Sequence, residues 1–327
     1  MGLGCQACRA AANSERRWFG RKAPSYHQDI RILSVVACVW CMHRQRHARL
    51  MLPSLEICVD SVHSAVAAEA GGATRLELCA NLVDGGTTPS VGMLRAILNR
   101  VKIPVYCMIR PRGGDFLYSQ AEQDVMRLDI EGLRDVGAHG FVFGMLESYG
   151  SVDEILLRSM VHLAAPLEVT FHRAIDVSVD PVAAVHACAR CGVHRILTSG
   201  GAPAALDGVA LIRQMVEAAA GRLVIAVGGG VSEDNARDIA RRTGADELHG
   251  SLRSTRQSEM RFRPTVAIAM GAEKLNEPGT EFELKEVSTE RVRAVAGVLL
   301  ADLAQTGDED RRRRRTAAST KRSRTAN

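Results

Sequence analysis

The sequence is poor in aromatic residues and has no apolar run long enough to cross a bilayer. Aromatic residues make up only 4% of the 327 residues, so a core must be filled mainly by Val, Leu, Ile and Ala. Such residues suit a parallel sheet whose two faces are both covered by helices. The longest apolar run near the start, Ile32–Met42, is far below the roughly 20 residues of a membrane-spanning helix. The sequence therefore predicts a helix-covered sheet and no membrane span.

The central part of the chain also lacks the excess of basic residues that nucleic-acid binding requires. Residues 1–50 and 305–327 together carry 17 of the 42 Lys and Arg residues but only five of the 37 acidic residues. Residues 51–304 therefore have a formal net charge of −7. Because affinity for a phosphate backbone depends on clustered Lys and Arg, we expect this part of the chain to bind no nucleic acid.

The nine cysteines do not form a regular disulfide framework. Their number is odd, and most of them lie inside apolar runs, which favours a reducing compartment and predicts a cytoplasmic protein. Two alternatives come from the ends of the chain. The basic runs at 311–315 and 321–322 resemble a nuclear-import signal, and the Arg-rich, acid-poor residues 1–50 resemble a mitochondrial presequence.

Residues 1–50 are predicted to lie outside the folded domain, because they show neither helical nor strand periodicity. Besides a presequence, they fit an acylated anchor, which Met1-Gly2-Leu3-Gly4-Cys5 suggests. They also fit a translation start placed too far upstream, since Met51 directly precedes the first predicted strand. We favour this last interpretation. Residues 305–327 are predicted to be a basic, disordered tail.

Between residues 51 and 304, short apolar runs alternate with amphipathic helical patterns, which predicts one α/β domain with a parallel sheet. Eight strand–helix units in about 250 residues match the (β/α)₈ TIM-type barrel. The alternative is an open doubly wound sheet, which needs a glycine-rich loop after the first strand; Asp60-Ser61-Val62-His63 contains no glycine. Residues 252–286 are predicted to be a long loop. The predicted strands are Leu55–Asp60, Arg75–Ala80, Val105–Arg110, Gly140–Met145, Leu167–Arg173, Arg195–Ser199, Leu223–Val227 and Glu247–Ser251.

Charged residues alternate with apolar ones along the predicted strands, so they should share the inner face of the barrel. A buried charge costs several kcal/mol unless it is paired. One interpretation is that Glu56 and Glu77 pair with Arg110 only to stabilise the barrel. The other is that these residues form an anion or metal site at the barrel mouth. The inner face is predicted to hold Glu56 and Cys58, Glu77 and Cys79, Arg110, His172 and His249.

The segment Arg110-Pro111-Arg112-Gly113-Gly114-Asp115 predicts an anion site. Pro111 fixes the backbone between two guanidinium groups, which suit carboxylate or phosphate, and Asp115 is placed to orient one of them. The glycine-rich ends of strands six and seven expose N–H groups to an anion. If the protein is an enzyme, His172, Glu77 and Asp176 are the candidate catalytic residues. The candidate anion-binding residues are Glu56, Arg110, Arg112, Asp115, Arg173, Ser199, Gly200, Gly229 and His249.

Several of these segments together resemble the CutC copper-homeostasis family, from about Leu55 to Leu303. The resemblance implies a (β/α)₈ barrel, a homo-oligomer, a role in copper homeostasis and Cu(I) binding by Cys58 and Cys79. If these cysteines lie at one level on neighbouring strands about 4.8 Å apart, their thiolates suit one soft Cu(I) ion. The segments are Leu55-Glu56-Ile57-Cys58, Glu77-Leu78-Cys79, Ile109-Arg110-Pro111-Arg112-Gly113-Gly114-Asp115-Phe116-Leu117-Tyr118-Ser119, Val169-Thr170-Phe171-His172-Arg173-Ala174 and Leu197-Thr198-Ser199-Gly200.

Two functions from different classes are consistent with these residues. The first is a copper homeostasis protein with Cu(I) at Cys58 and Cys79. The second is a barrel enzyme acting on a small carboxylate or phosphate, held by Arg110 and Arg112, with His172 as acid or base.

Overall fold

Eight short parallel strands close into a barrel in the computed structural model of the chain, which describes residues 54–245, 247–265 and 282–301. The strands pair in sequence order, and the first pairs with the eighth to close the barrel. The predicted (β/α)₈ barrel is therefore confirmed, and the open doubly wound sheet is wrong. The strands are β1 Ser54–Val59, β2 Arg75–Leu78, β3 Val105–Met108, β4 Gly140–Phe143, β5 Glu168–Phe171, β6 Arg195–Thr198, β7 Val224–Val227 and β8 Glu247–Gly250.

Helices follow the strands, and several of them begin at a side chain that caps free backbone N–H groups. Ser119, for example, forms a capping box with Glu122, which satisfies donors at the start of a helix. In the part of the chain that the structure describes, no helix is both long and apolar enough to cross a membrane. The helices are α1 Val62–Gly71, α2 Val91–Leu98, α3 Gln120–Val136, α4 Glu154–Ala164, α5 Pro181–Cys191, α6 Val209–Ala219, α7 Ala236–Thr243 and α8, which covers the described residues 289–301.

The main hydrophobic core lies between the barrel and its helices. Alternate strand residues, including Ile57, Cys107 and Phe171, are fully buried in it together with apolar residues of the helices. The residues between them along each strand point into the barrel, because successive side chains of a strand point to opposite faces. The interior therefore contains the polar residues of β1, β2 and β8, such as Glu56, Glu77 and His249, together with apolar ones such as Val142.

Charged side chains fill the amino-terminal end of the barrel interior as an ion-pair network. The Nε of Arg75 donates to Glu56, and its NH2 lies 2.7 Å from an oxygen of Glu247. The same Glu247 oxygen accepts from the Nε of Arg195 at 2.5 Å. Burial favours the neutral form of Glu56, but the charges of Arg75, His249 and Arg195 together outweigh burial and keep the pKa of Glu56 below its ordinary value. The network thus pairs the carboxylates buried at this end.

Tyr106 lies between the two arginines of this network. The guanidinium carbons of Arg75 and Arg195 lie 5.2 and 5.6 Å from the centre of its ring, and its hydroxyl donates to Glu168 at 2.6 Å. The ring has room because its neighbour on β4 is Gly140, where a Cβ atom would stand 2.7 Å from ring atoms of Tyr106. A glycine is therefore needed at position 140 because the Tyr106 ring packs against its Cα, and not because the backbone turns there.

The segment after β8 differs from the predicted long loop. It contains two antiparallel strands, β9 Arg253–Gln257 and β10 Glu283–Val287, which pair with each other. The prediction is wrong at these ends because the strands are polar and exposed and so lack an apolar alternation. Val287 ends β10, and the last helix follows it.

All barrel strands lie within the fragment 51–304, whereas residues 1–50 and 305–327 lie outside the described residues. We therefore expect the fragment to unfold in one cooperative transition at nearly the same Tm as the full chain. Thermal unfolding followed by circular dichroism would check this. A fragment that needs residues 1–50 to stay folded would show that the predicted domain boundary is misplaced.

Candidate functional site

A pocket of about 400 Å³ opens inside the barrel at the carboxyl ends of its strands. This is the end at which barrel proteins place their active sites. Polar and apolar side chains share the wall, and the polar ones come from β1, β2, β3, β5 and β8 or the loops that follow them. The lining residues are Cys58, Glu77, Leu82, Asp84, Gly85, Met108, Arg110, Phe116, His172, Arg173, Leu197, His249, Ser251 and Arg253.

Glu77 is the centre of a group of metal-ligating side chains in this pocket. One ligand atom each of Cys58, Glu77 and His249 lies within 4.8 Å of the others. The Oε2 of Glu77 is 3.0 Å from the Nε2 of His249 and accepts from the sulfur of Cys79 at 3.7 Å. The other oxygen of Glu77 is buried and has no hydrogen-bond partner among the described residues. A buried carboxylate oxygen of this kind has capacity left for a ligand.

His249 reaches Glu77 because β8 lies beside β1 in the closed barrel. Its backbone stands opposite Glu56 of β1, and the Cys58 that follows on β1 stands opposite Glu77 of β2. Burial lowers the pKa of His249, but the carboxylates of Glu77 and Glu56 outweigh burial and the pKa is raised. The ring is therefore poised to donate from Nε2 to Glu77.

The two cysteines predicted to bind Cu(I) do not lie at one level. Cys58 stands opposite Glu77, so Cys79 lies one inward-facing position further along β2, toward the barrel mouth. Burial and then the charge of Glu77 raise the pKa of both thiols. Cys107, on the outer face of β3, lies in the hydrophobic core, where burial raises its pKa to about 12. Cys58 and Cys79 therefore differ from Cys107 in having a carboxylate neighbour.

Arg110 lies in the pocket wall and is held by neutral groups. Its NH1 donates to the carbonyl oxygens of Asp84 and Gly86 at 2.7 and 3.0 Å, and its NH2 donates to that of Gly114 at 2.7 Å. Its Nε is buried without a partner among the described residues. The guanidinium carbon lies 5.0 Å from the centre of the Phe116 ring. Arg110 thus keeps a positive charge and one free donor.

The interpretation that Arg110 pairs with Glu56 and Glu77 is wrong. Glu56 pairs with Arg75, a residue that the sequence analysis did not select, and Glu77 pairs with His249. Arg75 stands two residues before Glu77 on the same strand. The same alternation that placed Glu77 on the inner face of the barrel therefore predicts that Arg75 lies on that face as well.

His172 also lines the pocket, and one of its ring nitrogens has no hydrogen-bond partner among the described residues. The backbone N–H of Ala174 donates to its Nδ1 at 3.2 Å, so the neutral ring carries its proton on Nε2, which is buried without a partner. Burial and then the charge of Arg110 lower the pKa of His172 to about 3. The ring packs 4.9 Å from that of Phe116, and a Cβ atom at Gly144 would stand 2.6 Å from Nδ1.

Arg112 and Asp115 do not contribute to the pocket lining. Arg112 pairs with Glu122 of α3 at 2.5 Å and with Asp115 at 2.9 Å. Its side chain is 38% exposed. The rigid Arg-Pro-Arg segment therefore sends its two arginines in different directions, one into the pocket and one to the surface.

Asp176 joins the loops that follow β5 and β6 instead of contacting His172 through a hydrogen bond. It accepts from the backbone N–H groups of Ser199 and Gly201 and from the hydroxyl of Thr198. It also pairs with Arg173 at 2.8 Å. Of the N–H groups predicted to receive an anion at this strand end, that of Ser199 is thus used by Asp176 and that of Gly200 donates to the hydroxyl oxygen of Thr198.

Gly200 and Gly229 lie in the loops that follow β6 and β7, and neither lines the pocket. Gly200 has a φ of 73° and stands so close to the carbonyl oxygen of Gly208 that an added Cβ would approach it to 2.4 Å. A Cβ at Gly229 would meet the side chain of Ser199 at 3.0 Å. Of the predicted residues after β5, β6 and β7, His172 and Arg173 line the pocket.

Sequence reasoning missed two other parts of the pocket wall. Phe116 packs against both Arg110 and His172, although it lies in a segment that was selected for its arginines. Arg253, the first residue of β9, pairs with Asp60 at 2.8 Å. No local pattern marks Arg253, because it reaches the pocket only through the strand pair that follows β8.

We expect the low pKa of His172 to make the fold sensitive to acid. The unfolded chain binds a proton at this residue below its ordinary pKa near 6.5, whereas the folded protein does not until about pH 3. The stability present above pH 6.5 is therefore lost as the pH falls toward 3, by on the order of 1 kcal/mol per pH unit. Urea unfolding of His172→Asn should show a smaller loss of stability than wild type between pH 6.5 and 4.

A matched control for that prediction is His162→Asn, because His162 is exposed on α4. Its unfolding free energy should follow wild type across the same pH range. If His172→Asn and wild type lose stability in parallel, the folded protein does not hold His172 neutral.

Comparisons with known proteins agree with this architecture. The model of the CutC family matches residues 53–254. A copper homeostasis protein cutC homolog of Mus musculus is 48% identical over 244 residues, which is 75% of this chain and 88% of the mouse protein. Its Homo sapiens counterpart is 47% identical over the same shares. A crystal structure of CutC from Streptococcus agalactiae matches with a TM-score of 0.58 and 32% identity, over 62% of this chain and 99% of that one.

Proposed function

The chain belongs to the CutC family, and from this membership we propose that it is a copper homeostasis protein that binds Cu(I) inside the barrel mouth. The proposed ligands are the sulfurs of Cys58 and Cys79 and a ring nitrogen of His249. One observation carries the proposal: ligand atoms of Cys58, Glu77 and His249 lie within 4.8 Å of one another, and the sulfur of Cys79 is 3.7 Å from the same carboxylate.

The donor set suits a soft ion. Thiolates are the ligands that Cu(I) prefers, and imidazole also suits copper. A carboxylate is a harder ligand, so we assign Glu77 to a supporting role in which its hydrogen bonds orient His249 and Cys79. A copper ion could reach these ligands through the pocket, because Cys58 is one of its lining residues.

Glu77 also explains how protonated thiols become ligands. Because the pKa of both thiols is raised, each must lose its proton when a metal binds. Glu77 contacts Cys79 directly and has one unpartnered oxygen. It is therefore the nearest acceptor for a thiol proton that Cu(I) displaces.

Anaerobic Cu(I) titration against a competing chelator tests the proposal. We expect one tightly bound equivalent per chain. Cysteines outside the described residues would add binding of their own, so the titration uses a background in which they are replaced by alanine. Loss of the tight equivalent in that background would contradict a barrel site. The replaced residues are Cys5, Cys8, Cys38 and Cys41.

The remaining sequence-based expectations stay predictions. A cytoplasmic location is supported by the five cysteines that the structure describes, all of which are free thiols, as a reducing compartment favours. The nuclear and mitochondrial alternatives depend on residues outside the described ranges. The homo-oligomer and the lack of nucleic-acid binding await measurement of the mass in solution and of binding to DNA and RNA.

A further inference from the structure

Among the buried donors of the pocket wall that lack a hydrogen-bond partner, two pack against Phe116, whereas the others belong to Arg253, which is ion-paired with Asp60. The two donors beside Phe116 are the Nε of Arg110 and the Nε2 of His172, whose residues are only 6% and 4% exposed. Phe116 packs against both, with its ring centre 5.0 Å from the guanidinium carbon and 4.9 Å from the imidazole centre. Buried donors normally have a partner, so their occurrence together in one pocket indicates a bound acceptor.

The charge in this part of the pocket is positive and uncompensated. The NH1 and NH2 groups of Arg110 donate to carbonyl oxygens, its guanidinium lies beside the buried hydroxyl of Tyr118, and no ion pair to Arg110 occurs among the described residues. The other two arginines of the lining differ, because Arg173 pairs with Asp176 and Arg253 with Asp60. Arg110 therefore brings to the pocket a positive charge that has no ion-pair partner among the described residues, which suits an anionic ligand.

His172 is suited to donate to that anion. Its Nδ1 is occupied as an acceptor by the N–H of Ala174, which fixes the tautomer with the proton on Nε2. Gly144 leaves no room for a side chain behind the ring, and this close contact limits its rotation. The ring is thus a neutral donor of fixed direction beside a charged one, an arrangement that suits the two oxygens of a carboxylate.

The pocket also contains an acceptor without a partner. The Oε1 of Glu77 is buried and unpartnered, and Glu77 and Arg110 line the same cavity of about 400 Å³. This volume lies within the range of small-molecule sites, roughly 300–1,000 Å³. A ligand that carries a hydroxyl group besides its carboxylate would satisfy Glu77 as well as the two donors.

From these groups we infer that the barrel mouth binds a small hydroxycarboxylate, with its carboxylate on Arg110 and His172 and its hydroxyl directed to Glu77. The carboxylate position does not depend on copper binding, because neither donor is a proposed copper ligand. Glu77 is shared with the proposed copper site, and the test is therefore made on metal-free protein. It also changes the anion site expected from the sequence. His172 takes the place of Arg112, which pairs with Glu122 and Asp115 at the surface.

Isothermal titration calorimetry of the full-length protein, kept metal-free with a chelator, tests this with glycolate as the probe. We expect saturable binding of glycolate that is at least about tenfold tighter than that of acetate, since acetate leaves the buried acceptor unpaired. Phosphate at the same ionic strength should bind more weakly than glycolate. Tighter binding of phosphate would overturn the carboxylate assignment, and no saturable binding of glycolate would overturn the site.

Three variants locate the site. His172→Phe keeps an aromatic ring against Phe116 but removes the donor, and we expect it to lose at least about tenfold in glycolate affinity. Arg110→Lys keeps the charge, removes the Nε donor and should lose a similar factor, which provides a second test if one variant is unstable. Arg112→Met is the matched control and should keep wild-type affinity. Equal affinity in wild type and in both pocket variants, or a loss in Arg112→Met alone, would overturn the assignment.

Discussion

Replacement of Arg75 by methionine should lower the free energy of unfolding by about 3–5 kcal/mol, since it leaves a buried carboxylate without its partner. Glu56, which is 1% exposed, would lose the guanidinium that hydrogen-bonds to it and would keep His249 at 3.8 Å, whereas Glu247 would keep Arg195. The methylene groups of methionine preserve much of the packing against Tyr106, so the loss reports mainly on the charge. Urea unfolding at neutral pH measures it.

Two further variants separate pairing from packing. Arg127→Met removes an exposed partner of Asp124 and should cost less than about 1 kcal/mol. Adding Glu56→Gln to Arg75→Met removes the stranded charge and should restore part of the lost stability, so that the double variant is more stable than the sum of the two single changes predicts. A cost for Arg75→Met as small as that of Arg127→Met would show that the network does not stabilise this end of the barrel.

The alternation of residues along the strands made the fold and the inner face predictable. Runs such as Arg195–Ser199 are bounded by helical patterns, and the period of two assigns each side chain to a face. Glu56, Glu77, Arg110, His172 and His249 were placed inside the barrel on this ground, and all five are buried. Face and burial depend on local sequence, and this is why they could be predicted.

Which charged side chains pair with each other inside the barrel could not be predicted in the same way. Arg75 and Glu247 meet although 172 residues separate them, because closure of the barrel brings β8 beside β1. Likewise, the level of Cys58 relative to Cys79 depends on the register between β1 and β2. A single sequence contains no direct signal for such registers, and the interpretation in which Arg110 pairs with Glu56, one of the two left open, was therefore wrong.

The contacts made by side chains in the loop after a strand could not be predicted from the sequence either. Arg110 and Arg112 flank one proline and were expected to act together, yet Arg112 pairs with Glu122 at the start of α3. The capping box that places Glu122 there is visible in the sequence as Ser119 and Glu122. Its consequence for Arg112 depends on how the loop folds back over the helix.

Replacement of Cys58 by alanine should remove most of the Cu(I) affinity. Loss of a group that only supports a ligand costs about 10–100-fold, so loss of a sulfur ligand should cost at least roughly 100-fold. Cys79→Ala should show a loss of the same order if both sulfurs bind the ion. The measurement is the anaerobic competition titration, carried out in the background that lacks the four cysteines near the amino terminus.

Cys107→Ala is the matched control, because Cys107 is equally buried but lies on the outer face of β3. It should leave the Cu(I) affinity unchanged, since its sulfur lies in the apolar core away from Glu77 and His249. The contrast among the three variants tests the ligand set. Unchanged affinity in Cys79→Ala would reduce the site to Cys58, Glu77 and His249, whose ligand atoms already lie within 4.8 Å of one another. Unchanged affinity in Cys58→Ala would exclude the barrel mouth as the copper site, because Cys58 is the sulfur ligand that lines the open pocket.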